Sequence, residues 1–326
     1  MTSVSDAPAV RTEELYKFYG TTEAVSGLDL VVPAGITFGF LGPNGAGKTT
    51  TIGMLCTLLL PTSGRAEVSG YDVVAQPHEV RDRIGLVFQE STLDLDLTAE
   101  ENMRFHAELF GLSRRQSKPA VDALLDLVEL TDRKDSPVRD YSGGMRRRLE
   151  IARGLLNTPS VLFLDEPTTG LDPQTRVAIW EHLHRLRRDS NVTLFLTTHH
   201  LEEAENCDRI AIMDHGDVVA HGTPAELKAV VGADLVVLRT GDDHAAVRAA
   251  REGFGLDGEI GADGVRLRVD DGATFVPRLC AGLGVAVHSV TVKPPSLDDV
   301  FLHYTGRSIR DDAGPTTLAD IGRRSA

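Results

Sequence analysis

Apolar positions along the chain recur with two periods. Val10 to Tyr16 and Glu23 to Val32 alternate apolar and polar residues around a turn at Tyr19-Gly20, the period of half-buried strands. Ile36 to Leu41, Ile84 to Phe88, Val161 to Leu164 and Val192 to Thr197 are short, almost wholly apolar runs, the mark of strands buried on both faces. The segments between them change to helical spacing. Lys48 to Leu60 predicts a helix stopped by Pro61, and Ala99 to Phe110 predicts another. Lys118 to Val128 predicts a third, with Pro119 in its first turn, and Gln174 to Arg188 a fourth, with Val177, Trp180 and Leu183 on one side. Strands alternating with helices imply an α/β fold on a mainly parallel sheet, with a helical subdomain inserted over about 89–142. From Ala233 the pattern restarts. Strands at Leu235–Arg239, near Glu259, at Val265–Val269 and at Val285–Val292 alternate with helices at His244–Glu252 and Thr274–Leu283. That order is a βαββαβ unit, closed by a helix over Leu297–Tyr304. The expected organisation is a disordered start (1–9), a core domain (10–232), a small α+β domain (233–310) and a mobile tail (311–326).

Composition narrows the class. An apolar share of 41% and a charged share of 25% in 326 residues allow a sizeable core. No run approaches the ~20 apolar residues of a membrane-crossing helix, and Met1 to Ala9 lacks the basic start of a signal peptide. The formal net charge of −14 argues against nucleic acid as a partner, because phosphate backbones attract basic faces. Cys56, Cys207 and Cys280 are too far apart in sequence to suggest a zinc site or a disulfide framework, and are expected to be buried thiols.

The chemistry sits at three places. Gly42-Pro43-Asn44-Gly45-Ala46-Gly47-Lys48-Thr49 fits G-x-x-x-x-G-K-[ST] between an apolar strand and a helix. Glycines let backbone N–H groups converge on a polyphosphate, and the helix start adds its positive dipole end. Lys48 supplies a point charge to the outer phosphates, and the Thr49 hydroxyl can hold Mg²⁺. Asp165 and Glu166 close a buried strand, with Asp165 suited to the metal and Glu166 to polarising an attacking water. Ser142-Gly143-Gly144 begins a further helix, with Ser142 as N-cap and bare N–H groups behind it. One nucleotide cannot readily use both helix starts of one chain.

With these motifs in order, the segment from Val10 to Pro224 resembles the ABC ATPases, the ATP-binding subunits of ABC transporters, a phosphate-loop NTPase family with a mixed sheet and a helical subdomain. The resemblance implies that Tyr19 stacks on adenine and that Gly42 to Thr49, with Thr50, binds ATP. It implies that Gln89 contacts Mg²⁺ and links to the transport subunit. Ser142, Gly143 and Gly144 would cover the nucleotide of a partner subunit in trans, and Asp172 would contact that partner. His199 would hold the γ-phosphate beside Glu166 and Lys48, while Thr49, Gln89 and Asp165 would bind the metal. Tyr141 and Met145 replace the more familiar Leu and Gln around the signature. The run Ser142 to Leu149 and the ending Pro295 to Leu302 are instead similar to the daunorubicin-resistance branch of drug exporters.

The resemblance implies an ATPase that works as a homodimer on a separate membrane permease, at the cytoplasmic face of the membrane. Drug or amphipathic cargo follows from the branch alone, with lipid or polysaccharide export as the alternative. The rival class is a soluble ABC ATPase acting on ribosomes or DNA; the single core and the lack of sustained heptads between Thr50 and Val161 speak against it. Arg146, Arg147 and Arg148 read as a solvated helix face, and His200 as a neighbour of His199 directed elsewhere.

Overall fold

The computed structural model describes residues 7–307. The chain divides into two compact units at the junction of His221 and Gly222. The first unit runs β1 (Val10–Tyr19), β2 (Thr22–Val32), β3 (Thr37–Leu41), α1 (Lys48–Leu55), β4 (Ser63–Val68), β5 (Tyr71–Asp72), α2 (Pro77–Arg81) and β6 (Ile84–Val87). It continues with α3 (Ala99–Leu109), α4 (Arg114–Leu127), α5 (Gly143–Gly154), β7 (Val161–Asp165), α6 (Pro173–Ser190), β8 (Thr193–Thr198), α7 (Leu201–Ala204), β9 (Arg209–Asp214) and β10 (Asp217–Gly222).

Six strands form the central sheet in the order β10-β9-β3-β8-β7-β6, and the pairs from β9 to β6 are parallel. Every residue of β3, β7 and β8 is buried, which is why they read as continuous apolar runs rather than alternations. Phe38, Phe40, Phe163 and Phe195 interlock there, with Phe195 5.1–5.4 Å from each of the other three rings. Register sets Leu41 opposite Thr198 and Asp165 opposite Thr197. The carboxyl ends of β3, β8 and β7 therefore finish side by side, where open α/β sheets hold their ligands. β2, β1, β4 and β5 make a separate antiparallel sheet.

The helical part packs around Met103, Ala107, Val121 and Leu125, and takes Leu149, Ala152 and Leu156 from α5 into the same core. It thus extends past the expected limit at Ser142. Thr98 and Glu101 cap α3 reciprocally, Glu101 N–H donating to Thr98 Oγ1 (3.2 Å) and Thr98 N–H to Glu101 Oε2 (2.8 Å).

Several boundaries differ from the pattern. α1 ends at Leu55, well before Pro61, because Thr57 turns left-handed (φ 60°) and Gly53 O accepts both Leu58 and Leu59 N–H. α4 starts at Arg114, where Gln116 Oε1 accepts the Ser113 N–H (3.0 Å), so Pro119 lies inside the helix rather than in its first turn. Val177 is 59% exposed, and α6 buries Ile179, Trp180, Leu183 and Leu186 instead. β4, β5, α2, α7, β9 and β10 have no counterpart in the sequence pattern read above. Ala9, placed in the disordered start, is buried and its N–H donates to Val32 O (2.8 Å). Cys280 is only half-buried, unlike Cys56 and Cys207. Residues 1–6 and 308–326, which include the whole of the expected tail, lie outside the described residues. Among the described residues no helix is long and apolar enough to cross a membrane.

The second unit contains α8 (Pro224–Val231), β11 (Asp234–Thr240), α9 (Asp243–Phe254), β12 (Gly258–Gly261), β13 (Gly264–Val269), α10 (Gly272–Gly282), β14 (Val287–Lys293) and α11 (Leu297–Thr305). Its sheet is antiparallel in the order β12-β13-β11-β14, which is the βαββαβ arrangement the pattern predicts. Val236, Leu238, Val265 and Leu267 of the sheet pack with Ala246, Ala250 and Leu279 of the helices. The unit starts at Gly222 rather than after 232 because α8, capped by Thr223, packs on α11.

Candidate functional site

The loop after β3 is shaped by steric necessity. A β-carbon on Gly42 would lie 2.2 Å from Met213 O, and one on Gly47 (φ 103°) 2.4 Å from Ala24 O. Gly47 begins α1 with no side-chain cap and no acid in the first turn, so the helix's leading N–H groups stay open to an anion. The Lys48 ammonium folds back on the loop, donating to Gly42 O (2.7 Å) and Pro43 O (2.9 Å), with Glu166 Oε1 at 3.7 Å. Burial pulls this ammonium below its ordinary value, even with Glu166 and Asp165 nearby.

Asp165 and Glu166 are held by a shared hydroxyl from the neighbouring strand. Thr197 Oγ1 donates to Asp165 Oδ1 (2.5 Å) and accepts the Glu166 N–H (3.0 Å). The Thr49 hydroxyl faces both Asp165 oxygens at 3.1–3.2 Å. Burial pushes the Asp165 carboxyl above its usual range against these hydrogen bonds. Glu166 is itself buried, with a left-handed φ of 45°. Its Oε1 meets His199 Nδ1 (3.0 Å) and its Oε2 accepts the Thr169 hydroxyl (2.9 Å). Burial would raise this carboxyl, but the His199 bond and the Lys48 charge bring it down to about 2. The His200 ring lies tilted by 40° beside His199 at 4.1 Å between centroids, and its backbone N–H donates to Thr198 Oγ1 (2.8 Å).

The fold thus gathers Lys48, Thr49, Asp165, Glu166 and His199. Pro43 lends its carbonyl to Lys48, and Asn44, Gly45, Ala46 and Thr50 are carried on the same loop and helix start. Tyr19 ends β1 with its hydroxyl towards Thr50 and the Lys17 ammonium 5.1 Å from its ring centroid. Gln89 follows β6 half-buried, and among the described residues its side chain makes no hydrogen bond to this group.

Ser142, Gly143 and Gly144 form the start of α5. Ser142 Oγ accepts the Met145 N–H (3.3 Å), and no hydrogen bond or ion pair among the described residues joins them to Lys48 or Thr49. They lean instead on the start of α6. A β-carbon on Gly144 would lie 2.4 Å from Thr175 Cγ2, and Thr175 Oγ1 donates to Asp172 Oδ2 (2.6 Å), the cap of α6.

Arg147 corrects the solvated-face reading. It is buried, donating to Pro167 O (2.6 Å), Asp165 O (3.1 Å), Phe88 O (2.5 Å) and Glu150 Oε2 (3.0 Å). The sequence signal for it was Glu150, three residues on, with Ile151 and Gly154 on the same buried face.

A metal at Thr49 and Asp165 fits their chemistry, since hydroxyl and carboxylate oxygens are the hard donors Mg²⁺ takes. Among the described residues no group of three or more His, Cys, Asp or Glu could hold a metal ion. The remaining ligands would therefore come from phosphate and water.

Known proteins resemble this chain over most of its length. The ABC transporter family model matches residues 25–169, and that of the ATP-binding protein DrrA1-3-like C-terminal domain matches 222–305. The daunorubicin/doxorubicin resistance ATP-binding protein DrrA of Streptomyces peucetius is 42% identical over 93% of this chain and 94% of its own length. The Nod factor export ATP-binding protein I of Ralstonia nicotianae is 40% identical over 94% of this chain and 97% of its own length. Among solved structures, cbiO1 from Clostridium perfringens, part of the ABC transporter complex cbiONQ, matches at TM-score 0.64 and 29% identity over 69% of this chain and 93% of its own. The ADP- and Pi-bound dimer of the ATP-binding cassette MJ0796 matches at TM-score 0.60 and 26% identity over 66% and 98%. These likenesses span both units of a chain whose phosphate loop and paired carboxylates meet at one sheet end. The chain belongs to the ATP-binding, ATP-hydrolysing subunits of ABC exporters, in their DrrA-like branch.

Proposed function

We propose that Lys48, the Gly42–Gly47 backbone and Thr50 grip the phosphates of ATP, that Tyr19 stacks on its base, and that Thr49, Asp165 and Gln89 hold Mg²⁺. The metal would supply charge neutralisation at the phosphates. Glu166 orients and polarises the attacking water, and His199 holds the γ-phosphate. In the arrangement described, Lys48 and both Glu166 oxygens are engaged within the protein. Nucleotide phosphates compete for Lys48 and His199, and that exchange frees Glu166 to accept a hydrogen bond from water. The reading rests on one observation: Lys48, Thr49, Asp165, Glu166 and His199 converge from three adjacent strand ends.

Ser142, Gly143 and Gly144 make no hydrogen bond to Lys48 or Thr49 of their own chain among the described residues, and a second copy completes the site. Two copies close on two nucleotides, with Asp172 at the contact. The permease sits in a groove beside the Gln89 loop, about 550 Å³, lined by Phe88, Leu97, Phe105, His106 and Phe110. Phe105 and Leu109 stand 59% and 66% exposed at its rim, an apolar surface suited to a partner. The chain so placed works at the cytoplasmic face of the membrane, without nucleic acid as partner. The cargo is an amphipathic drug-like molecule. Relatives named for Nod factor export stand almost as near in identity as those named for drug resistance, so a cargo other than a drug, a lipid or polysaccharide, is the second reading.

Glu166→Gln is expected to lose about 10²–10⁴-fold in turnover and to form an ATP-dependent dimer on size exclusion. Lys48→Ala is expected to abolish turnover through lost phosphate binding. A Glu166→Gln protein that stays monomeric at saturating MgATP refutes the shared site.

A further inference from the structure

Arg147 lies on the buried face of α5, its side chain 7% exposed. A guanidinium so placed needs partners for its N–H groups, and three of its four are backbone carbonyls. Nε donates to Pro167 O and Nη2 to Asp165 O. Those two carbonyls flank Glu166, whose left-handed backbone an L side chain rarely adopts. Nη1 donates to Phe88 O, the residue before Gln89. Glu150, 4% exposed, takes Nη1 on Oε2 and the Thr92 N–H (3.2 Å) on Oε1. One ion pair therefore holds both ends of the 88–92 loop and both sides of Glu166.

We infer that Arg147, with Glu150, is the positioning pair that sets the Glu166 carboxylate and ties its placement to the state of the Gln89 loop. The inference rests on the reading of Glu166 as the water-polarising group. A planar fork fixes the separation of the two carbonyls it bridges, so residues 165 and 167 cannot rotate independently. The left-handed turn at Glu166 is thereby kept. The same plane carries the bond to Phe88 O, so a displaced 88–92 loop either drags the fork or leaves a buried polar group unpaired. Lysine, with one nitrogen at its tip, keeps the charge but cannot span the two carbonyls.

The test uses the full chain assembled with its permease and compares Arg147→Lys, the double variant Arg147→Met with Glu150→Met, and Glu166→Gln. Arg147→Lys is expected to lower kcat at least about tenfold while KM for ATP moves less than about twofold, a loss felt only in the reacting complex. The double variant leaves no unpaired charge behind and is expected to stay folded, with kcat lowered as far; it decides the matter if the lysine variant does not fold. Hydrogen exchange provides a second readout. Amides of 88–92 and of 165–169 are expected to exchange faster together in the folded Arg147 variants. Normal kcat in a folded Arg147 variant, a loss confined to KM, or faster exchange in one segment alone overturns the inference. Normal turnover in Glu166→Gln instead sinks the reading of the site itself. An inactive Glu166→Gln beside active Arg147 variants sinks only the positioning role.

Discussion

Glu203, on α7, is 1% exposed and accepts the Thr168 hydroxyl, and burial pushes its carboxyl up to about 7. Arg176 Nε at 3.8 Å from Glu203 Oε1 offsets that burial only in part, and His199 and Glu166 also lie within electrostatic range. The folded chain then keeps a proton that the unfolded chain releases from its ordinary value of 4.5. Stability from this group is complete below about 4.5 and is lost as pH rises through about 7. Glu203→Gln keeps an acceptor for Thr168 without the charge. Its stability is expected to be close to the parent's at pH 5 and to exceed it at pH 8 by on the order of 1–3 kcal/mol. Thermal melts at the two pH values check this, and a pH-independent difference refutes it. Single residues were unevenly legible. Lys48, Asp165 and Glu166 stood out through motif positions whose chemistry dictates residue type, and His199 through the resemblance alone; the fold brings these four side chains together. Glu203 did not stand out and Arg147 was read as solvated, because burial of a charge depends on carbonyls and hydroxyls brought from distant segments. Phe88 and Pro167, which accept from Arg147, are 59 and 20 residues away from it.

At the scale of elements, the starts of α5 and α6 behave as one block. Gly144 leaves room for the Thr175 methyl, and Thr175 is held by its bond to Asp172. A methyl added in Gly144→Ala pushes Thr175 off Asp172 and loosens the N-cap of α6. The expected cost is about 1 kcal/mol of stability, read as a lowered melting temperature. ATP-dependent dimerisation of the Glu166→Gln background is expected to weaken further, because both helix starts belong to the proposed contact. Unchanged dimerisation separates the two starts functionally. The wholly buried strands β3, β7 and β8 were legible because burial on both faces removes polar residues. The end of α1 was not, since Thr57 turns the chain through a backbone state that no side-chain pattern announces. β4, reading Ser63-Gly64-Arg65-Ala66-Glu67-Val68, is exposed at half its positions and lacks a clear alternation. The apolar run Ile210 to Met213 carries the same signal as β3, yet its place beside β3 comes only from pairing with Phe38 to Leu41.

The whole molecule consists of two units that share no core cluster among those described: two clusters drawn from residues between Ala9 and Val218 fill the first, and one from residues between Val236 and Val292 fills the second. A chain ending after His221 is therefore expected to fold and to bind ATP with the affinity of the full chain within about threefold, as titration calorimetry would show. Loss of binding refutes the independence of the first unit. The βαββαβ order of the second unit was legible from its spacing. Its boundary was not, because the pairing of α8 with α11 joins segments far apart in sequence. α6 also bears the only tryptophan of the chain, Trp180, 5% exposed with the His184 ring 5.5 Å away. Any reseating of that helix alters the surroundings of a solitary indole. The native protein thus carries its own optical probe, and unlabelled emission spectra can follow the rod on which the serine-glycine tip leans.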